Sequence, residues 1–247
     1  MKRQHMKKVA IVTGGSKGIG LAIVKLFIEK EYTVYNLDIS ASSVAKHIYC
    51  DMSEFSQVQA AIKQVIDQEK QLDVLICNAG IHLSATIEET SEQDFDRLFS
   101  INVKGAYAAI QASLGVMKAQ NKGSIVMIAS DQAVIGKQHS FAYNLSKHAL
   151  VSICKTTALD YAANNIRVNA VCPGTIETPL YHTAIDKYCQ ESGADKQQIH
   201  GEEAALQPLG RVGQPEEVAE LVYFIAGDKA AFITGSLQMI DGGYTTG

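Results

Sequence analysis

No stretch of this sequence is apolar for long enough to span a membrane, and the basic start, residues 1–8, runs directly into VAIVT and a set of glycines. The apolar run of a secretory signal is therefore missing, and a cytoplasmic protein without a membrane partner is expected. Basic charge is also in short supply. Lys and Arg number 22 against 26 Asp and Glu, for a net charge of −4, and no dense Lys/Arg cluster follows residue 8. A nucleic-acid-binding surface is not expected from such a balance. The five cysteines, Cys50, Cys77, Cys154, Cys172 and Cys189, are scattered and include no Cys-x-x-Cys pair. Neither a disulfide framework nor a zinc site is expected, and no other metal. Internal repeats, low-complexity tracts and interdomain linkers are lacking as well.

Apolar residues make up 47% of the 247 positions, enough for a substantial core. Residues 9–13 form a β-like run, followed at once by Gly14, Gly15, Gly18 and Gly20. Ile19, Ala22, Ile23, Leu26 and Phe27 then recur at helical spacing. A strand, a glycine turn and a helix in that order let a pyrophosphate approach the backbone at the positive end of the helix dipole. The spacing is Gly-x-x-x-Gly-x-Gly, which differs from the Gly-x-Gly-x-x-Gly fingerprint. Gly14, Ser16, Lys17, Gly18 and Ile19 are the candidate contacts. The next strand, 33–37, ends in Asp38, 18 residues beyond Gly20. A carboxylate there accepts hydrogen bonds from both ribose hydroxyls of adenosine and repels a 2′-phosphate, which favours NAD over NADP. Lys17 is the basic side chain that could meet a 2′-phosphate instead.

The linker 39–46 is too short for a crossover helix of three or four turns, and leads to a strand, 47–50, that places Asp51 and Met52 on the adenine side. A packed helix over 54–70 and an apolar strand over 72–77 follow, the strand running into Asn78, Ala79 and Gly80. The spacing then predicts one long helix over 92–119 with Asn102 inside it, a strand over 124–129, a helix reaching about residue 163, and a strand over 167–171 that runs on to Pro173 and Gly174. Residues 175–208 are polar and aperiodic, and they interrupt the alternation. Pro215 opens a helix to about residue 226, and 237–240 is a last strand. The fold expected over 1–247 is α/β: a single Rossmann-like domain, a doubly wound parallel sheet with helices on both faces. Ligands of such a sheet bind at the carboxyl ends of its strands, where the glycine turn, Asp38, Asn78, Ser130 and Gly174 all fall.

The stretch that concentrates chemistry is 130–147, SDQAVIGKQHSFAYNLSK. Tyr143 and Lys147 stand at i, i+4, so a helix stacks them one turn apart. A tyrosine that works as a base near neutral pH needs its phenolate favoured by about 3 to 4 kcal/mol. A cation about 4 Å away supplies about 4 kcal/mol at an effective dielectric near 20. Lys147 is therefore expected to provide most of the shift, with Ser130 holding the substrate oxygen as Tyr143 moves its proton. A lone Tyr-x-x-x-Lys is more often a helix surface, so the reading leans on the surrounding motifs.

Those motifs are TGGSKGIG at 13–20, NAG at 78–80, Asn102, Ser130, YNLSK at 143–147, PGTIETP at 173–179 and DGG at 241–243. In this order the chain resembles the short-chain dehydrogenase/reductase family from about residue 8 to residue 243. The resemblance implies a catalytic tetrad of Asn102, Ser130, Tyr143 and Lys147, with Tyr143 as acid/base and Asn102 holding a proton-relaying water. It implies that Tyr143, Lys147 and the segment from Pro173 and Gly174 through Ile176 and Thr178 contact the nicotinamide side, and that the following segment folds over the substrate. A homotetramer or homodimer is implied too. Cys77 stands where the family often has asparagine, and the short linker 39–46 is more like that of dihydrodiol, sugar or hydroxy-acid dehydrogenases. His82, Asp131, Gln132, Glu177 and His182, with His139 and Asn144, are candidate substrate contacts and point to a small polar substrate. The expectation is NAD-linked oxidation of a secondary alcohol. An NADPH-dependent ketone reductase, such as a 3-oxoacyl reductase, and a nucleotide sensor without chemistry are the alternatives.

Overall fold

The computed structural model describes residues 7–246; most of the basic start, residues 1–6, lies outside the described residues. Seven strands, β1 (Val9–Thr13), β2 (Thr33–Asp38), β3 (Lys46–Tyr49), β4 (Val74–Cys77), β5 (Gly123–Ile128), β6 (Ile166–Pro173) and β7 (Leu237–Ile240), form one sheet. Its order is β3-β2-β1-β4-β5-β6-β7, and every neighbouring pair is parallel. The order reverses between β1 and β4, which opens a crevice at their carboxyl ends.

Side chains alternate across the sheet, so each strand feeds two cores. Val9 and Ile11 of β1 join Leu75, Ile125 and Met127 on one face. There they meet α2 (Phe55–Glu69), α4 (Gly105–Gln120) and α5 (Phe141–Tyr161), which bury Ile62, Ile110 and Leu150. Ala10 and Val12 point the other way with Ile76, Val126 and Ile128. They meet α1 (Gly18–Glu29) and α8 (Pro215–Ala226), which bury Ile23, Phe27, Val218 and Val222. Doubly wound architecture is thus present, with the Pro215 start and the β7 limits as the sequence predicts.

Two regions depart from the sequence reading. The long helix over 92–119 is three pieces: α3 (Glu92–Phe99), a π-helical turn over Ser100–Lys104, and α4. The π turn shifts the hydrogen-bond register by one residue, with the Gly105 N–H donating to Ser100 O. Residues 175–208 hold two helices, α6 (Pro179–Ser192) and α7 (Lys196–Leu206). Thr178 caps α6 by accepting from Tyr181 N, and Asp195 caps α7 by accepting from Gln198 N, so local capping offsets their weak apolar faces. Between β2 and β3 the chain makes no helix. The edge strand β3 is instead clipped on by Lys46, which donates to Tyr35 Oη at 3.1 Å and to Glu69 Oε1 at 2.9 Å, while Tyr35 Oη donates to the same carboxylate.

At the opposite end of the strands Arg167 lies partly buried. Its guanidinium donates to the carbonyls of Ile225 (2.8 Å), Ala226 (3.1 Å), Gly227 (3.0 Å) and Ile233 (3.2 Å). It closes the C-terminus of α8 onto β6, supplying donors to carbonyls a helix end leaves open. Arg167→Ala is expected to lower unfolding free energy by at least about 3 kcal/mol, because several buried carbonyls lose a charged donor together. Urea unfolding reads this directly. A loss below about 1 kcal/mol would show that water replaces the guanidinium.

Candidate active site

The turn after β1 is built by backbone and buried polar groups together. Gly14 has φ +67°, and a Cβ there would stand 2.8 Å from Ala79 Cα, so only glycine lets the turn lie against the segment after β4. Thr13 Oγ1 accepts from Asn78 N (3.0 Å) and Ala79 N (3.1 Å), and Asn78 Nδ2 donates to Thr13 O (3.0 Å) and Gly14 O (2.9 Å). Asn36, fully buried in β2, accepts from Gly15 N at 2.8 Å and donates to Ser16 Oγ at 2.9 Å. Asp38 accepts from Ser16 N at 3.0 Å and from Ser40 N at 2.8 Å. No side chain caps α1 at Lys17, which leaves the first N–H groups of the helix for an anion. Gly18, at φ +53°, lies beneath Thr178, whose Cβ would be 3.3 Å from a Cβ on Gly18. The glycine turn and the segment after β6 therefore share one cleft, and its donors fit a dinucleotide pyrophosphate.

Asp51 Oδ1 accepts from Ser53 N (2.9 Å) and Ser53 Oγ (2.7 Å), and Met52 packs on Gly105 at the start of α4. Thr13 and Asn36 were not among the residues singled out from the sequence. A polar side chain inside the apolar β2 was the available signal for Asn36, since a buried amide must find partners.

Asn102 sits in the π turn and is 1% exposed. Its Oδ1 accepts from Ile81 N at 2.9 Å, and its Nδ2 donates to Ile81 O at 3.0 Å and Ser146 Oγ at 3.2 Å. This one amide joins the loop after β4 to α5. A Cβ on Gly80 would be 3.3 Å from Asn102 Oδ1 and 3.8 Å from Lys147 Nζ, so NAG, Asn102 and Lys147 meet at a single place.

Ser130 follows β5 by two residues, and Tyr143 and Lys147 occupy the first two turns of α5. Lys147 is buried; its Nζ donates to Ile128 O at 2.9 Å and lies 5.3 Å from the Tyr143 ring centre. Burial lowers its pKa to about 8. Tyr143 is pushed up by burial, opposed by the Ser130 hydroxyl and assisted by the charge of Asp131. The Lys147 ammonium is turned to a carbonyl, and desolvation is the largest influence on the phenol.

His82 packs edge-on against Tyr143, ring centres 4.7 Å apart. Burial first, then the charges of Lys137 and Lys147, lower its pKa to about 4, so it stays neutral beside the phenol. Asp131 and Gln132 are both buried; Ser130 Oγ donates to Asp131 Oδ1 at 2.6 Å, and Gln132 Oε1 accepts from Ser140 Oγ at 2.7 Å. Asn144 Nδ2 donates to Ile135 O at 2.8 Å. His139 takes φ +51°, and its carbonyl accepts from Ala85 N at 2.9 Å, tying the His82 loop to the start of α5. Glu177 and His182 are half exposed and face each other at 3.7 Å, with Glu177 also accepting from Gln214 at 3.0 Å; neither bonds to Ser130 or Tyr143. Lys137 was missed by the sequence reading. It pairs with Glu203 of α7 at 3.5 Å, and Glu203 accepts from Thr175 at 3.3 Å, linking the loop after β5 to α7.

The chain is similar over nearly its whole length to known oxidoreductases. A family model described as enoyl-(acyl carrier protein) reductase matches residues 14–245. The 2-(R)-hydroxypropyl-CoM dehydrogenase of Xanthobacter autotrophicus is 34% identical, over 97% of this chain and 99% of that protein. Ligand-free aldohexose dehydrogenase from Thermoplasma acidophilum superposes with a TM-score of 0.92 at 38% identity, covering 98% of this chain and 95% of that one. ElxO with NADP bound gives a TM-score of 0.89 at 30% identity, covering 98% and 100%. Fold and matches define an NAD(P)-dependent oxidoreductase acting on hydroxyl or ketone groups. The chain belongs to the short-chain dehydrogenase/reductase family.

The buried imidazole generates an acid-stability prediction. His82 is held near 4 in the folded protein, below the usual 6.5, so the unfolded chain takes up its proton first. Its contribution is therefore lost as pH falls from 6.5 toward 4, by about 1.4 kcal/mol per pH unit. His82→Phe should flatten the fall in urea-unfolding free energy between about pH 6.5 and about pH 4.5. An unchanged slope would mean that the ring titrates as it does in water.

Proposed function

We propose that this protein is an NAD-dependent dehydrogenase that oxidises a secondary alcohol of a small polar substrate, a diol, sugar or hydroxy acid, to the ketone. The observation that carries the reading is the convergence of Asn102, Ser130, Tyr143 and Lys147 at the carboxyl ends of the strands, beside an uncapped helix N-terminus. NAD, when bound, would supply the hydride acceptor. Tyr143 takes the hydroxyl proton as the carbinol C–H electrons leave with hydride, and Ser130 holds the reacting oxygen. Lys147, already shifted toward neutrality by burial, would hold the ribose of a bound cofactor and favour the phenolate. Asn102 anchors the relay that returns the proton to solvent.

Asp38 is the basis for NAD. Its carboxylate is fixed by Ser16 N and Ser40 N, and a carboxylate so held accepts ribose hydroxyls and repels a 2′-phosphate. Asp51, Met52, Ala79, Pro173, Gly174, Ile176 and Thr178 complete the cofactor contacts in this reading. The covering segment is α6 and α7, held down by the Lys137–Glu203 pair. A cytoplasmic setting accords with all five cysteines being free thiols. Self-association as a tetramer or dimer is supported by Leu159 and Phe232, apolar and 81% and 105% exposed. The second reading, an NADPH-dependent ketone reductase, draws on exposed Lys17 at the N-cap of α1 and on the NADP-bound relative.

NAD reduction against sugars, polyols, cyclic diols and hydroxy acids tests the reaction. Tyr143→Phe is expected to lose at least about 100-fold in kcat while NAD binding persists, as general acid–base contributions of that size require. Near-normal turnover in the variant would overturn the mechanism. Asp38→Ala should shift the ratio of NAD to NADP affinity toward NADP by about tenfold or more, the removal of one close like-charge contact. A ratio that does not move would assign cofactor choice to Lys17.

A further inference from the structure

Asp131 is 5% exposed, yet its carboxylate is only half satisfied. Oδ1 receives the Ser130 hydroxyl at 2.6 Å and Gln132 N at 2.7 Å, and Gln132 N also leans on Ser130 Oγ at 3.2 Å. Oδ2 has no protein donor and is not sealed from solvent. No cation forms an ion pair with it among the described residues; the nearby Lys137 is paired with Glu203, and Asp241 adds like charge. The partnership has a consequence for Ser130. A serine has one proton, and here the Asp131 carboxylate at 2.6 Å competes for it with the Tyr143 side of the site, where a reacting oxygen would sit.

We propose that Asp131 selects substrates that carry a second hydroxyl on the carbon next to the one being oxidised. The inference rests on the alcohol-oxidation reading above and narrows its substrate to neutral vicinal diols and sugars. When such a substrate binds, its second hydroxyl donates to the Asp131 carboxylate. The Ser130 proton is then released to turn to the reacting oxygen, and the carboxylate keeps the same number of donors. Vicinal oxygens lie about one hydrogen-bond length apart, the separation of Ser130 Oγ and Asp131 Oδ1. A simple alcohol has nothing to exchange: to use Ser130 it must strip a buried carboxylate of a donor, an unfavourable step. A hydroxy acid brings a second carboxylate against the first and is rejected by like charge. Asp131 is in this sense a specificity-determining residue, and through Ser130 a positioning one.

The experiment compares kcat/KM for NAD reduction with three matched pairs: cyclohexane-1,2-diol and cyclohexanol, butane-2,3-diol and butan-2-ol, propane-1,2-diol and propan-2-ol. Wild type, Asp131→Asn and Asp131→Ala are assayed, with melting temperature and NADH binding recorded for each. Wild type should prefer the vicinal member of each pair it oxidises by about 10- to 100-fold, the value of a hydrogen bond to a charged group. Asp131→Asn should reduce the preference and Asp131→Ala abolish it, the latter raising kcat/KM for the simple alcohol because Ser130 is freed. A gain on the simple alcohol is not the result of a structural lesion. Equal turnover of both members by wild type would overturn the inference and leave the dehydrogenase reading standing. A vicinal preference that survives in Asp131→Ala would also overturn it. If the variants fail to fold, the wild-type ratio alone decides. Silence with all six compounds overturns the inference, and the Tyr143→Phe panel then decides separately whether the dehydrogenase reading falls as well.

Discussion

All seven strands run the same way, and the rest of the molecule depends on that constraint. Parallel pairing requires each connection to return over a face of the sheet, so both faces are covered and both sets of strand side chains are apolar. It also sends every strand end to one edge. Thr13, Asp38, Asn78, Ser130 and Gly174, far apart in the chain, arrive there as a result. Arg167 closes the opposite edge, where no chemistry is proposed, by covering carbonyls.

The site edge is held by amides more than by charges. Asn36 fixes the glycine turn, Asn78 fixes the crossing of two loops, and Asn102 fixes the loop after β4 to α5. Asn36 and Asn102 both donate and accept, and Asn78 donates twice, so each ties backbone segments together without bringing a net charge into the interior. A buried ion pair in the same place would carry a heavier desolvation penalty and would perturb nearby titratable groups. The charges that are buried here, on Lys147, Asp131 and Asp241, are correspondingly few, and burial shifts the pKa of the first two against their ionised forms.

What could be read from the sequence follows from how each feature is encoded. The β1 turn, the Pro215 start of α8 and the β7 strand were legible because apolar periodicity and backbone-special residues mark them directly. The order of motifs singles out the four residues of the proposed tetrad, because each motif sits at a strand end or on the helix beside one. The π turn was not legible: one extra residue per turn barely disturbs the apolar spacing of Phe95, Leu98 and Val103. Nor were α6 and α7. Helix α6 buries only Ile185 and α7 buries no residue, so the pattern that reveals a helix is absent and only the caps remain. The direction of the Lys147 ammonium was not legible for a different reason. Spacing placed it near Tyr143, but its direction was set by Ile128 O, a carbonyl on another element.

Asp38 and Asp131 follow one physical logic on the two sides of the cleft. Each is an acid beside a serine, and each is oriented by backbone N–H groups that leave acceptor capacity free. A carboxylate so held has no rotational freedom to lose when a ligand arrives, so a neutral hydroxyl gains nearly the full value of a charge-assisted bond. An anionic ligand meets the same fixed charge and is repelled by it. On the proposed reading the two carboxylates favour hydroxyls at the ribose end and at the substrate end, while the uncapped N-terminus of α1 between them is left for the pyrophosphate.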